Sequence, residues 1–184
     1  MGTRHAWLVL IVLLAPAGAR ADNHWFDVAT AYSAAGGLSW LNGGQATVTV
    51  PIGSRECPPI PSNVVVDFSV QHGSHLNKRT TLHEDLTQYS YLAGYRWSHA
   101  RRPKDSRLAF AQVLVGRVVR NGSELDGTHF AVAIGGGVEF LKRGDKLVLP
   151  GFRAQGDVVV LPGADLKNGY FRLTAGPIFR VGEK

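Results

Sequence analysis

The sequence predicts an all-β protein, an eight-stranded antiparallel up-and-down transmembrane β-barrel, and three observations carry that expectation. Eight segments of roughly ten residues alternate in polarity with period two and are separated by Gly, Pro, Asn, Asp and charge clusters. Past residue 21 no stretch approaches the roughly 18 unbroken apolar residues of a membrane helix, so a chain that crosses a bilayer must do so with strands. The faces are also inverted. In Leu86 to Ser98, Tyr89, Tyr91, Ala93, Tyr95 and Trp97 share one side, while Gln88, Ser90, Gly94, Arg96 and Ser98 share the other. A solvated strand face carries Lys, Glu and Thr; a face of Gly, Ser, Gln and one Arg suits a narrow polar interior, with the aromatic side turned to lipid.

Residues 1–21 read as a secretory signal peptide: Arg4, an apolar run from Ala6 to Leu14, and small residues at Ala19 and Ala21, with cleavage expected after Ala21. Loss of Arg4 and Arg20 takes the net charge from +6 to +4, and the cations form no long block, so nucleic acid is not an expected partner. Residues 22–184 suit one barrel domain. Cys57 is the only cysteine and can close no internal disulfide.

The strands follow in order. The first, about Trp25 to Ser33, sets Phe26, Val28, Thr30 and Tyr32 against Asp27, Ala29, Ala31 and Ser33; the second covers about Gln45 to Ile52. Pro58, Pro59 and Pro61 cannot sit in a ladder and mark a connection. The third, about Asn63 to Gly73, opposes Val64, Val66, Phe68 and Val70 to Asp67, Ser69 and Gln71. Ser74 to Asp85 reads as the longest polar connection, leading into the fourth strand. In the fifth, about Arg107 to Val119, Gln112 and Gly116 favour odd positions outward, with Arg117 snorkelling at an interface. The sixth, about Thr128 to Leu141, contains Gly135, Gly136 and Gly137, which permit a bend and leave interior room. The seventh, about Gly151 to Val160, opposes Phe152, Ala154, Val158 and Val160 to Arg153, Gln155 and Asp157. The eighth, about Gly169 to Val181, contains Pro177, which removes a ladder donor and predicts a local bulge.

Charge placement supports the inversion. Every lysine of the mature chain falls in an expected turn or at an end. The inward face collects Asp27, Asp67, Glu139 and Asp157 with Arg96, Arg153, Arg172 and Arg180, an expected neutral network of ion pairs plugging the interior, since an unpaired buried charge is costly.

These residues resemble the small bacterial outer-membrane β-barrels of the OmpA/OmpX-like superfamily. Matching stretches are Leu41-Asn42-Gly43, Val66-Asp67-Phe68-Ser69, Phe110 to Gly116, Ile134 to Val138, Arg153 to Asp157 and Phe171 to Gly176. The likeness spans about Trp25 to Gly182 and lies in the whole pattern more than in any one motif. The last strand is similar to the signal read by barrel-assembly machinery, which implies that Thr174, Gly176, Phe179 and Val181 form it. Gly44 stands where the family pattern has an aromatic residue, and Gln112 where it has His. The resemblance implies an outer-membrane location, contact with outer-membrane lipid and lipopolysaccharide, and a monomer without cofactor.

The leading expectation is a structural or surface-interaction barrel without catalysis, because an eight-stranded barrel is filled by its own side chains. Four alternatives have residues behind them. The inward charges could line a narrow porin-like path. His72, Ser74 and Glu84 could form a hydrolase triad acting on lipid. His72, His75 and His83 with Asp85 could hold a metal, though their spacing fits no standard template. A soluble lipocalin-like barrel would need an apolar interior and charged outer faces, the reverse of these strands.

Overall fold

The period-two alternation becomes eight strands: β1 (Trp25–Gly36), β2 (Trp40–Ile52), β3 (Ser62–Leu76), β4 (His83–Ala100), β5 (Arg107–Asn121), β6 (Gly127–Leu141), β7 (Val148–Val160) and β8 (Tyr170–Gly182). The computed structural model describes residues 25–37, 40–52, 62–76, 83–100, 107–122, 126–142, 148–162 and 169–182. The expected signal peptide and Cys57 lie outside them. Each strand pairs antiparallel with its sequence neighbours, and β1 pairs with β8, which closes the barrel.

Closure fixes the geometry. A circuit of paired residues leaves β1 at Asp27 and passes Thr49, Val65, Gly94, Leu114, Ala133 and Val159 to Tyr170, next to Phe171, which pairs with Gly36; carrying that register one place on gives a stagger of ten residues. Such a shear in eight strands tilts them by roughly 40° and leaves an interior that side chains fill.

The pleat sorts the residues by side. Tyr32, Phe68, Tyr91, Tyr95, Ile134, Phe152, Val158, Phe171 and Leu173 are exposed on the outside, whereas Asp67, Ser69, Gln88, Arg96, Asp157 and Arg172 are buried inside. In β5 the odd positions Ala109, Ala111, Val115 and Arg117 are exposed and Gln112 and Leu114 are buried, as the glutamine and glycine placement predicts. The outer aromatics gather toward the two ends of the wall. Phe26, Trp97, Phe140, Phe152 and Phe179 lie toward the end that carries both termini, and Trp40, Tyr91, Phe130 and Phe171 toward the other.

Three expectations change. Ser74 to Asp85 is not loop at its flanks: β3 runs to Leu76 and β4 starts at His83. Trp40, the first residue of β2, pairs with Ser74, and Asn121, the last of β5, pairs with Thr87, so the paired ends of β3 and β4 run past the neighbouring strands. Pro177 causes no bulge. Pairing between β1 and β8 lapses between Ala29–Ile178 and Tyr32–Ala175 and resumes in the same register, while Phe152 still faces Pro177 from β7. The missing donor therefore falls on the closing seam, and the ring sits on the exposed face. The interior is also less polar than the sequence pattern implies. Val65, Leu92, Leu114, Val118, Ala133 and Val159 form a buried apolar cluster with Leu41, Leu86 and Tyr170, and Ala29, Leu141 and Ile178 form a second with Leu108 packed against it.

Candidate functional site

The pleat that turns aromatics outward drives long polar side chains into a space a few residues wide, so each must find its partner there. Two linked clusters result. In the one nearer the termini, Glu139 Oε1 accepts from Arg96 Nη1 at 3.0 Å and Arg153 Nε at 2.9 Å. Arg96 also donates to Gln112 Oε1 from Nε at 3.1 Å and Nη2 at 2.7 Å. Two guanidiniums on one carboxylate would repel, but both also face the Phe110 ring, at 4.1 Å for Arg96 and 5.7 Å for Arg153. Gly137 makes the space for that ring, since a Cβ there would press on Phe110 Cζ.

Higher in the barrel Arg172 bridges two acids. Its Nη1 donates to Asp67 Oδ1 at 2.8 Å and its Nη2 to Asp157 Oδ2 at 2.8 Å. The remaining lone pairs are occupied: Gln112 Nε2 donates to Asp157 Oδ1 at 2.9 Å, Gln155 Nε2 to Asp157 Oδ2 at 2.7 Å, and Gln45 and Thr47 donate to Asp67 Oδ2. Gln112 thus joins the two clusters. Gly135 faces Asp157, and a Cβ at that position would fall on Asp157 Oδ1 and the Gly156 carbonyl. The three-glycine run, which reads in sequence as a bend and as interior room, supplies the room, for this carboxylate and for Phe110, within a strand that runs unbroken to Leu141.

Of the eight charges named from sequence, seven are buried within these clusters or beside them, and Arg180 is half-open. It grips Asp27 through two parallel bonds, Nε to Oδ1 at 2.7 Å and Nη2 to Oδ2 at 2.8 Å, near the mouth. At the far end a ninth charge joins the interior: Arg120 donates from Nε to Gln88 Oε1 at 2.8 Å and faces the Tyr170 ring at 5.8 Å. The sequence reading ended the fifth strand at Val119 and so left Arg120 out; its parity with Gln112 and Gly116 was the signal that would have found it. Gln88 Nε2 donates onward to Gln71 Oε1 at 3.0 Å, and Gln71 Nε2 to Ser33 Oγ at 2.6 Å.

The other candidate residues do not converge. Thr174 and Gly176 point inward, whereas Phe179 and Val181 lie on the opposite, outer side of β8. His72 and Ser74 are exposed outside, and His72 Nδ1 lies 3.0 Å from Thr87 Oγ1; Glu84 has the inward parity of Leu86 and Gln88. A triad of His72, Ser74 and Glu84 is therefore split across the wall. The side chains of His75 and His83 lie outside the described residues, among which no group of three or more His, Cys, Asp or Glu could hold a metal ion.

What the interior can do follows from its burial. Ser69, Ser90, Gln71, Asp157 and Arg172 are all at 0–1% exposure, so these side chains pack against one another and meet no water-wide space.

No family model matches the chain, and no curated protein matches its sequence. Solved structures do match. Neisserial surface protein A is similar at 11% identity with a TM-score of 0.53, covering 86% of this chain and 96% of that one. The attachment invasion locus protein Ail of Yersinia pestis, solved with the heparin analogue sucrose octasulfate, is similar at 13% identity with a TM-score of 0.51, covering 86% and 97%. The outer-membrane enzyme PagL matches at 13% identity with a TM-score of 0.49, covering 84% and 98%.

Proposed function

Taking as premise that the chain has the fold of the small OmpA/OmpX-like outer-membrane barrels, we propose that it is an integral outer-membrane protein with a plugged interior and a structural or surface-interaction role without catalysis. One observation carries this reading: a continuous outer surface of exposed aromatic and aliphatic side chains surrounds a core whose charges are ion-paired. In water such a surface would drive aggregation, whereas in a bilayer it is the solvated side. The burial of Ser69, Gln71, Ser90, Asp157 and Arg172 supports a plug over a porin-like path. The separation of His72 and Ser74 from Glu84 supports a non-catalytic role, and the ends of β3 and β4 that run past the neighbouring strands offer a surface for contact with a partner.

In this reading the exported chain is received by barrel-assembly machinery through Thr174, Gly176, Phe179 and Val181, and it sits as a monomer among outer-membrane lipid and lipopolysaccharide. Cell fractionation with heat-modifiable gel mobility tests it. The folded protein is expected in the outer-membrane fraction, migrating differently before and after boiling. Recovery as a soluble protein would overturn it. Planar-bilayer recording is expected to show no steady conductance, and purified protein to release no acyl chain from lipopolysaccharide, with Ser74→Ala behaving as the parent. Phe179→Ala is expected to lower the amount assembled in cells without changing refolding of the purified chain.

A further inference from the structure

Arg107, the first residue of β5, and Lys142, the residue that follows β6, are exposed at the end of the barrel that carries both termini. Arg107 pairs directly across from Phe140, and Lys142 follows Phe140 by two places on the same side, so the two cations flank one ring. The Arg107 guanidinium lies over that ring, 5.8 Å from its centre. Diagonal neighbours in an antiparallel pair are about 7–8 Å apart, within reach of two long side chains closing on one group. The Lys142 amide donates to the Pro150 carbonyl at 3.0 Å, which fixes the backbone where the lysine leaves the wall.

The position is as informative as the charge. Phe140 and its partner Phe152 are exposed aromatics near the edge of the apolar surface, and just beyond them the outer face turns cationic. Among the described residues neither cation meets a carboxylate. Glu139, the acid adjoining Phe140, points inward and is committed to Arg96 and Arg153. Two exposed cations at neighbouring positions favour an anion between them, and a guanidinium fork beside an ammonium suits phosphate oxygens.

We propose that Arg107 and Lys142 bind the phosphate of an anionic glycerophospholipid, whose acyl chains lie along Phe140 and Phe152. The site rests on the membrane reading above. A lipid places its phosphate just outside its acyl chains, and the two cations stand in that relation to the two rings.

The test uses the full-length folded protein in neutral detergent, with native mass spectrometry during titration by phosphatidylglycerol or phosphatidylcholine. The Arg107→Gln/Lys142→Gln double variant is expected to weaken phosphatidylglycerol binding about ten-fold and leave phosphatidylcholine binding unchanged. Arg107→Lys should retain most of the affinity. Arg117→Gln, which removes an exposed cation at the other end of β5, should leave it unchanged and so excludes an effect of net charge. Equal phosphatidylglycerol affinity in the double variant and the parent would overturn the site, as would full displacement of the lipid by millimolar inorganic phosphate, which marks a free-anion site. Each variant is first inserted into phosphatidylcholine vesicles. If the parent does not insert, the membrane reading itself fails; insertion with equal affinities sinks the lipid site alone.

Discussion

Arg172 and Arg180 sit on the same strand, face the same interior and each meets carboxylate, yet the barrel treats them differently. Arg172 is at 0% side-chain exposure and bridges Asp67 and Asp157, while Arg180 is at 23% and pairs with Asp27 near the mouth. The first is a structural necessity, since removing it strands two acids where water cannot reach. The second is a pair that solvent can partly replace. Depth within the wall, more than the identity of the ion pair, decides what the interaction contributes.

The comparison can be broken most sharply at its buried member. Arg172→Met is expected to lower stability in urea unfolding from phosphatidylcholine vesicles by about 3–5 kcal/mol, the cost of an uncompensated buried pair. Adding Asp67→Asn and Asp157→Asn should return most of that loss, because the stranded charges then disappear. A charge placed on the other side of the same wall comes next. Ile134→Lys, exposed midway along β6, should cost about 2–4 kcal/mol by the same measurement, as a cation facing the bilayer middle does. Glycines sharpen the contrast on a smaller scale. Gly135→Ala would push a methyl onto Asp157 and should cost about 1–3 kcal/mol, whereas Gly44 has nothing within 4 Å of an added Cβ, so Gly44→Ala should shift stability by less than about 0.5 kcal/mol. At the mouth, Arg180→Met should cost less than Arg172→Met, about 1–2 kcal/mol, because the lost guanidinium is partly hydrated while Asp27 stays buried.

Much of the architecture was legible in the residues because a barrel wall repeats one rule, alternation, eight times. Tyr89 to Trp97 and Arg153 to Asp157 each reveal their faces without help from distant parts of the chain. The ion-pair partners were not legible, because they depend on shear. Arg172 meets Asp67 across the barrel, a relation fixed only when the stagger of ten residues is known. The apolar part of the interior was missed for a related reason. Leu92 and Val65 share the inward parity of Arg96 and Asp67, yet as apolar residues in apolar-rich strands they gave no contrast to their outward neighbours. Ends were least legible: Arg120 and the His83–Asp85 segment continue strands past the point where polar residues suggest a turn. Pro177 shows the converse, a residue that breaks the local rule and is accommodated because its missing donor lies at the seam.

On the proposed reading the apolar outer surface faces lipid. Nitroxide labels placed singly at positions 134, 158 and 173 in a Cys57→Ser background, with the protein folded into phosphatidylcholine vesicles, test it most directly, with position 142 as the reference beyond the wall. Collisions with oxygen are predicted to dominate at Ile134, Val158 and Leu173, and collisions with a water-soluble nickel chelate at Lys142. Dominant nickel-chelate collisions at all three wall positions would contradict the account.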